Sequence, residues 1–496
     1  MDPNTHKSPF KVIIIGSGLA GALLANGLIR EGINVHVYER YERNSRRDGF
    51  QIRLTLPAIL GLRSCLTPEH LAAVVKNFGP ATGVKGEAPR VLHKDFSLLV
   101  DFSRFPAYGK NVPINRGILR NALSEPVYEA GKLDFEKSFE SFEVIADGTE
   151  HEKVRVWFHD GSSDECDILI GADGSYSKVK LKLNTLSFLA SFLTWEDIPI
   201  CGHTVKARRR LIHPIKKHIA FAAKCDLPTA RFSKMSKELR GAPIMTWADE
   251  MSYFFGGKLI LVRNQDDTQA GQEAAGKAYD ESLSSIMVGL NVAKEIVPKG
   301  IQDADNDVQW DFVAECIRNW SSKHRETVEL VRGAPLHIYT PRVATRPSRS
   351  WRKEVRSRTP GKPEYGHPRV WLMGDAVHAM LPPRGMGANQ SMYDAVTMLP
   401  LLCKLDDVAK SRGNVSLSLI KEAVQEYEAE MIPRSFEWVK KSGGDDFVPV
   451  DSSTIKGKLF FILAAQALNL VCLWYRFKGI FTGEPLVEEI PEFSSS

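Results

Sequence analysis

Three glycines near the start of the chain, and one acidic residue after them, have the types and spacing that bind a dinucleotide. Gly16, Gly18 and Gly21 form G-x-G-x-x-G directly after a run of β-branched residues, and Glu39 follows about 20 residues later. Such glycines allow a tight turn, close approach of a pyrophosphate to the backbone, and close packing of a helix on a strand. The carboxylate would accept hydrogen bonds from ribose hydroxyls and repel a 2′-phosphate, which predicts a site for FAD or NAD rather than NADP.

The elements that must position these residues are readable in the same stretch. The apolar run predicts a buried parallel strand over 11–15, a helix over 20–31 and a second strand over 33–38. The helix would point its N-terminal N–H groups and the positive end of its dipole at the phosphates. This order predicts an α/β fold with a parallel sheet.

Two later segments also run from a buried strand into a turn rich in glycine and aspartate. The strand predicted over 166–170 leads to Asp173, and the strand predicted over 369–373 leads to Asp375. Both carboxylates would lie at the carboxyl ends of strands, where open α/β sheets bind ligands. Gly385 and Gly387 precede a predicted long helix over 389–405, whose first N–H groups can face an anionic ligand.

Composition limits the remaining possibilities. The 496 residues suffice for two or three domains, and a net charge of +5 does not by itself suggest nucleic acid. The seven cysteines are scattered without a C-x-x-C pair, which predicts free thiols in a reducing compartment and no metal site. Mostly polar residues precede the first strand with no signal-peptide pattern, so we predict a cytoplasmic protein.

An apolar stretch near the C-terminus, residues 459–475, contains only Gln466 and Asn469 as polar residues and has basic residues on both sides. It is slightly short for a spanning helix. Three alternatives are open: a helix packed on the protein, an in-plane membrane helix, and a short membrane anchor. Its terminal aromatic residues and basic flanks are typical of an interfacial position.

Taken in order, the segments GSGLAG, GADGSYSKV and GDAVHAMLPPRGMGANQSMYDA, together with Glu39 and Arg116, resemble the FAD-dependent aromatic hydroxylases. These are the single-component (class A) flavoprotein monooxygenases, and the fungal secondary-metabolite members are the most similar. The resemblance covers about residues 8–445.

The resemblance implies an α/β fold with a Rossmann-like FAD-binding domain of the aromatic-hydroxylase type, an inserted mixed-sheet substrate domain and a C-terminal helical segment. The FAD-binding domain would be discontinuous, comprising residues 8–60, 90–185 and 336–445. The substrate domain would comprise 61–89 and 186–335, and a hydrophobic helix and tail would follow over 446–496. Within the substrate domain we predict helices over 269–294 and 310–331, after an earlier helix over 57–78.

The site positions that the resemblance implies are all contacts to FAD, and no metal ligand is among them: Gly16, Gly18, Gly21, Glu39, Gln51, Arg53, Arg116, Asp173, Asp375, Pro382, Gly385, Gly387, Ala388 and Asn389. Asp173 would also serve NAD(P)H, and Asp375 would bond the ribityl chain. Residues from Pro382 to Asn389 would lie beside the isoalloxazine ring. Lys180 stands where the family's middle motif commonly ends in arginine. From local sequence alone, Arg53 and Arg116 could equally be solvated surface residues.

The resemblance implies a reaction in three steps. NADPH reduces bound FAD, the reduced FAD reacts with O2 to form a C4a-hydroperoxide, and this hydroperoxide hydroxylates an electron-rich, polyketide-like aromatic compound. The nearest alternative is epoxidation of a prenyl, terpenoid or indole substrate, and a non-catalytic flavin-binding protein is a further one. The sequence identifies no catalytic base. Tyr253 is a weak candidate that fits a packing role as well, and His378 either touches flavin or substrate or only orders its turn. The basic stretch 342–368 is predicted to be a solvated loop, with binding of NADPH phosphates or an anionic membrane as the alternative.

Overall fold

The computed structural model describes residues 9–43, 45, 51–78, 88–102, 111–183, 199–200, 203–204, 212–215, 217–240, 242–259, 283–443 and 450–482. The strands in chain order are β1 Lys11–Ile15, β2 Asn34–Tyr38, β3 Gln51–Leu54, β4 Arg90–Leu92, β5 Leu98–Asp101, β6 Val112–Asn115, β7 Leu133–Asp134, β8 Phe139–Ile145, β9 Lys153–Phe158, β10 Ser163–Cys166, β11 Ile168–Gly171, β12 Pro199–Ile200, β13 His203–Thr204, β14 Ile212–Pro214, β15 His218–Pro228, β16 Ile244–Ala248, β17 Met251–Leu259, β18 Leu283–Ala293, β19 Leu336–Tyr339, β20 Arg342–Ala344 and β21 Val370–Leu372.

The helices in chain order are α1 Leu19–Arg30, α2 Leu56–Cys65, α3 Pro68–Lys76, α4 Arg116–Glu129, α5 Lys178–Leu183, α6 Thr229–Ser233, α7 Lys237–Arg240, α8 Asn306–Cys316, α9 Ser322–Val331, α10 Trp351–Arg358, α11 Asp375–His378, α12 Gly387–Arg412, α13 Leu417–Lys441 and α14 Ile455–Thr482. Short 3-10 helices occur at Lys294–Ile296, Ile301–Asp303 and Pro382–Arg384.

The chain divides into two compact units. The first comprises Met1–Val75, Arg116–Pro214 and Arg342–Phe447, and the second comprises Lys76–Asn115, Ile215–Pro341 and Val448–Ser496. These boundaries differ from the predicted ones, because residues 90–115 and the C-terminal segment group with the second unit, whereas residues 61–75 group with the first.

The first unit is built on a parallel sheet. In the described part of the chain its strand order is β21-β11-β1-β2-β7, and every neighbouring pair is parallel. Strand β11 is buried throughout, as expected for an apolar run at the centre of a parallel sheet. Helix α1, which joins β1 to β2, packs against α12 and α4. The α/β class and the Rossmann-like arrangement predicted from the sequence are confirmed.

The second unit is built on a mixed sheet. Among the described residues its order is β19-β15-β18-β17-β16-β4-β5, with only the β16–β4 pair parallel. Helices α8 and α9 supply Trp310 and Val328 to a core that also contains Phe221, Phe255 and Leu290 from the strands. The mixed sheet predicted from the family resemblance is therefore present.

Four local predictions are wrong in instructive ways. The helix predicted over 310–331 is two helices, α8 and α9, separated by residues 317–321. The helix predicted over 57–78 is two helices, because Leu66 is extended and Pro68, which opens α3, disfavours a helical conformation at the residue before it. The described part of the helix predicted over 269–294 is strand β18. The supposed loop over 342–368 contains β20 and α10.

The error at β18 has a simple cause. Ile286, Val288, Leu290 and Val292 are buried while the residues between them are partly exposed, which is the period-two pattern of a strand. The strand pairs with β15 on one side and β17 on the other. Residues 260–282, which include the first part of the predicted helix, lie outside the described residues.

Candidate functional site

The carboxyl ends of four neighbouring strands form one edge of the parallel sheet in the first unit. Tyr38, Ile15, Gly171 and Leu372 are lateral partners across β2, β1, β11 and β21. The chain therefore leaves the sheet at the same level four times, into Glu39 and into three turns that contain glycine. This edge is where open parallel sheets bind ligands.

The first of these turns has two glycines that cannot be replaced without a clash and one that faces open space. Gly16 has a φ of +107°, and a Cβ there would lie 2.6 Å from the carbonyl oxygen of Ala172. A Cβ on Gly21 would lie 2.1 Å from the carbonyl oxygen of Gly16. A Cβ on Gly18 would meet nothing within 4 Å. The first and third glycines thus permit the packing, while Gly18, at the start of α1, leaves room for a ligand.

Glu39 is fixed against this turn. Its Oε2 accepts a hydrogen bond from the backbone N–H of Ser17 at 2.9 Å, and its Oε1 accepts one from the N–H of Tyr41 at 3.2 Å. The side chain is half-buried. Each carboxylate oxygen keeps a further acceptor site, so the group is oriented by the turn and still able to accept from a ligand hydroxyl.

Two arginines lie one turn apart on α4, and the second of them, Arg120, interacts electrostatically with Glu39. Arg116 opens the helix and is exposed, with no hydrogen bond or ion pair among the described residues. Burial lowers the pKa of Arg120, and the charge of Glu39 opposes that shift. A hydrogen bond of 2.7 Å between the hydroxyls of Ser17 and Ser124 ties α4 to the glycine turn. Sequence reasoning missed Arg120, although its spacing of four from Arg116 places both on one helix face.

Asp173 organises the second turn. Its Oδ2 accepts from the backbone N–H groups of Lys178 at 2.7 Å and Val179 at 3.3 Å, at the start of α5. Its Oδ1 is buried and has no hydrogen-bond partner among the described residues. Burial raises the pKa of this carboxyl group, against the hydrogen bonds that it accepts. An oriented, buried acceptor of this kind would be satisfied by a donor from a ligand.

Lys180 joins the second turn to the third. Its buried Nζ donates to the carbonyl oxygen of Val377, in α11, at 3.3 Å. Burial lowers the pKa of the amine to about 7, and the charge of Asp173 opposes this shift. Lys180, at the position where the family commonly has arginine, is thus buried inside the first unit between the second and third turns.

The third turn presents Asp375. Gly374 has a φ of +61°, and its N–H donates to Asp394 Oδ2 at 2.8 Å. Asp375 begins α11, is half-buried, and its carboxylate has no hydrogen-bond partner among the described residues. Its Oδ1 lies 3.8 Å from the place that a Cβ on Gly387 would occupy. The carboxylate therefore lies beside the beginning of α12.

The turn that precedes α12 is a 3-10 helix followed by a left-handed residue. Pro382 opens the 3-10 helix, and Gly385 ends it with a φ of +63°. Gly387 begins α12, and Ala388 lies in the first helical turn. The first N–H groups of a helix have no acceptor within it, so this end can bind an electron-rich group.

Asn389 joins this turn to β3. Its Nδ2 donates to the carbonyl oxygens of Arg53 and Gly385, both at 2.9 Å. Its Oδ1 accepts from the N–H of Thr55 at 2.7 Å and from the Thr55 hydroxyl at 3.0 Å. All the donors and acceptors of this buried amide thus bond to protein groups. These bonds hold the Arg53 backbone beside the turn. The backbone of Gln51 lies in the same strand, and its side chain lies outside the described residues.

A buried charge cluster behind the third turn was missed by sequence reasoning. Asp394 accepts from Arg434 Nη2 and lies against His378 Nε2, each at 2.8 Å. Burial alone would raise the pKa of Asp394, but the charges and hydrogen bonds of His378 and Arg434 hold that pKa below its usual range. Arg434 also donates to Gln390 and Glu430. His378 therefore orders its turn, which was one of the two alternatives for it.

Tyr253 is placed where it cannot act as the catalytic base. It lies in the core of the second unit, 2% exposed, with its hydroxyl bonded to Thr327. Burial raises the pKa of the phenol. Of the two roles considered for Tyr253, the structure supports packing.

A family model described as an FAD binding domain matches residues 9–55 and 295–428. The chain is 24% identical over 447 residues to the FAD-dependent monooxygenase thnD of Trichoderma harzianum, which covers 87% of this chain and 91% of that protein. It is 23% identical over 474 residues to the FAD-dependent monooxygenase sor5 of Hypocrea jecorina, covering 89% and 87%.

A solved structure has the same fold. The crystal structure of Klebsiella pneumoniae HpxO with FAD and uric acid superposes with a TM-score of 0.60, covering 95% of this chain and 98% of that one at 17% identity. The family model, the two fungal relatives and the turns aligned on one sheet edge together support the identification of this chain as a single-component FAD-dependent monooxygenase of the fungal secondary-metabolite type.

Proposed function

We propose that the protein uses NADPH and O2 to hydroxylate an electron-rich aromatic small molecule of the polyketide type. The observation that carries the proposal is the lateral alignment of Ile15, Gly171 and Leu372, because it brings all three glycine-containing turns to one edge of one sheet. Similarity to FAD-dependent monooxygenases supports oxygen insertion as the reaction. When bound, FAD would supply the transfer of reducing equivalents to O2.

The residues on this edge fit FAD. The open space at Gly18 and the N-terminus of α1 would receive the pyrophosphate, and Glu39 would accept from the ribose hydroxyls. The exposed guanidinium of Arg116 would contact the same half of the cofactor. Asp375 would bond the ribityl chain, and the first N–H groups of α12, from Gly387, would face the electron-rich edge of the flavin ring and stabilise negative charge there.

NADPH would act as a transient co-substrate. The sequence has one dinucleotide fingerprint, which FAD occupies in this proposal, so the nicotinamide nucleotide would bind without a second Rossmann site. The exposed basic residues Arg346, Arg349 and Arg356, in and before α10, offer cations for a 2′-phosphate. We place the activity in the cytoplasm, at a membrane surface.

The test is substrate-dependent consumption of O2 and NADPH by the yellow holoenzyme, measured against phenolic polyketides and prenylated indoles. We expect one phenolic class to accelerate both rates together and to yield a product that contains one added oxygen atom on the ring. An added oxygen on a prenyl double bond would support epoxidation instead. Equal, uncoupled oxidation with every compound would contradict the specificity that we propose.

Asp375→Ala provides the matched test of the site. It removes a carboxylate with no protein hydrogen-bond partner among the described residues, so we expect folding to be retained and FAD affinity to fall about tenfold or more. Asp407→Ala, which removes an exposed carboxylate from α12, is the control. Identical FAD affinity in both variants would place the cofactor elsewhere.

A further inference from the structure

The last helix of the chain, α14, carries large apolar side chains both on its buried side and on its exposed side. By length and composition, Ile455–Tyr475 within it is a candidate membrane span. Its residues are mostly exposed in the structure, and large apolar side chains account for most of that exposure. A surface helix of a soluble protein has one apolar stripe and an opposite polar face, so the second apolar face of α14 requires an explanation.

One stripe of α14 is packed on the sheet of the second unit. Phe461 is 4% exposed and lies in a cluster with Val91 and Val100, with Leu468 packed against it two turns later. The Phe461 ring stacks on Trp247 with centroids 6.0 Å apart and planes 7° from parallel. The helix therefore has a defined orientation on the sheet.

The start of α14 is fixed to the turn between β16 and β17. Asp249 and Glu250 both have positive φ in that turn, and the carboxylate of Asp451 accepts from both of their N–H groups at 3.1 Å. Ser452 donates its N–H to the carbonyl oxygen of Trp247 at 2.8 Å. These contacts fix the N-terminal end of α14 to the sheet.

The opposite side of the helix is exposed and mainly apolar, with Gln466 at its margin. It comprises Leu459, Leu463, Leu470, Trp474 and Phe477, whose exposed fractions are 56%, 59%, 67%, 58% and 53%. At 100° per residue these positions lie on the side opposite Phe461 and Leu468. We call this set of five residues the outer face of α14.

The charge around the outer face favours an anionic partner. Residues 452–483 contain no aspartate or glutamate, whereas Lys456, Lys458, Arg476 and Lys478 lie near the two ends. Basic residues beside an apolar helix attract anionic lipid headgroups, and tryptophan near a helix end is typical of the membrane interface. A protein partner would not by itself explain this combination of lipid-type anchors.

We propose that α14 lies in the plane of an anionic membrane, held to the second unit by the Phe461 stripe and inserting its outer face at the boundary of headgroups and acyl chains. A spanning orientation conflicts with the packing, because it would carry the sheet edge beneath Phe461 into hydrocarbon. The inference does not depend on the reaction, because it uses only contacts of the second unit.

The test is flotation of the full-length holoenzyme with vesicles of phosphatidylcholine alone or mixed with phosphatidylserine. We expect the protein to float with the anionic vesicles and to be released by alkaline carbonate, as an interfacial helix is. Leu463→Glu/Leu470→Glu should lower partitioning about a hundredfold or more, because burial of each leucine changes such an equilibrium about tenfold or more. Ile296→Glu/Val308→Glu changes two exposed apolar residues elsewhere in the second unit, and this variant should float like the wild type.

FAD content and NADPH oxidation in solution should be the same in all three proteins, which separates loss of the membrane surface from misfolding. Flotation without monooxygenase activity would overturn only the proposed function. A wild type that stays with the soluble fraction, or that resists carbonate extraction, would overturn the in-plane arrangement. If the wild type did not float but formed a dimer without lipid, and if Leu463→Glu/Leu470→Glu were monomeric, the outer face would instead bind a second copy of the chain.

Discussion

The amide oxygen of Asn389 accepts a hydrogen bond from the backbone N–H of Thr55, 334 residues earlier in the chain, at 2.7 Å. The same side chain donates to the carbonyl oxygens of Arg53 and Gly385. One buried amide thus fixes β3 against the turn that leads into α12. The turn that we propose to lie beside the flavin is therefore stabilised by Asn389, whose side chain has no hydrogen-bonding group left for the cofactor.

Asn389→Ala should therefore weaken both folding and FAD binding. The change removes the acceptor of the Thr55 N–H and the donor to the carbonyl oxygens of Arg53 and Gly385, which should cost about 1–3 kcal/mol in the free energy of unfolding. Asn389→Asp keeps the acceptor for Thr55 and loses both donated bonds, so we expect an intermediate loss. Denaturant unfolding and FAD fluorescence titration measure the two effects. Unchanged FAD affinity in both variants would show that the turn does not depend on this amide.

The glycines of the first turn provide a matched pair of substitutions. Gly21→Ala should destabilise the apoprotein, because the new Cβ would lie 2.1 Å from the Gly16 carbonyl oxygen. Gly18→Ala meets no protein atom within 4 Å and should leave apoprotein stability within about 1 kcal/mol of the wild type. Its methyl group would occupy the proposed pyrophosphate position, so FAD affinity should fall sharply. A Gly18→Ala protein that binds FAD normally would rule out that position.

The parts of the fold that the sequence predicted are those encoded locally. The βαβ unit around Gly16 and the two later strand–turn segments follow from periodicity and from glycine and aspartate placed at strand ends. The described part of the segment predicted as a helix over 269–294 is a strand, which the alternation of Ile286, Val288 and Leu290 indicates locally. The break at Leu66 was missed although Pro68 marks it.

The parts that the sequence did not reveal depend on residues far apart in the chain. The contacts of Asn389 with Thr55 and of Asp394 with Arg434 leave no local pattern, because each partner alone is an ordinary polar residue of a helix or turn. The same holds for Lys180, whose burial against Val377 is set by the packing of α5 on the third turn. Motifs thus predict which turns bind the ligand, and tertiary packing determines what holds those turns.

The buried amine of Lys180 should make stability depend on pH in the alkaline range. Its pKa is about 7 in the folded chain and 10.5 as the ordinary value, so between these limits the unfolded chain binds more protons and stability rises with pH. Below about pH 7 the cost of charging the buried amine is fully present. Lys180→Met removes that cost, and the variant should exceed the wild type by about 2–4 kcal/mol near pH 7 and by little near pH 10.

Lys178→Met is the control for this measurement, because Lys178 is exposed on the same helix. Denaturant unfolding of all three apoproteins between pH 6 and 10 provides the comparison. Parallel pH profiles for Lys180→Met and the wild type would show that the amine remains charged in the folded protein.

The cluster of Asp394, His378 and Arg434 should behave as a unit. Asp394→Leu leaves the Gly374 N–H without its acceptor and removes one of the two carboxylates that pair with Arg434, so it should cost about 2–4 kcal/mol in the free energy of unfolding. Since the Asp394 pKa is depressed on folding, its contribution is present above the ordinary carboxyl range and is lost as the pH falls through the lower, folded-state pKa. Asp394→Leu/Arg434→Leu removes both charges and should cost less than the sum of the single substitutions. Strictly additive costs across this double-mutant cycle would mean that Asp394 and Arg434 stabilise the third turn independently. A normal FAD content in Asp394→Leu would mean that the hydrogen bond from the Gly374 N–H to Asp394 is not needed to position Asp375 for FAD.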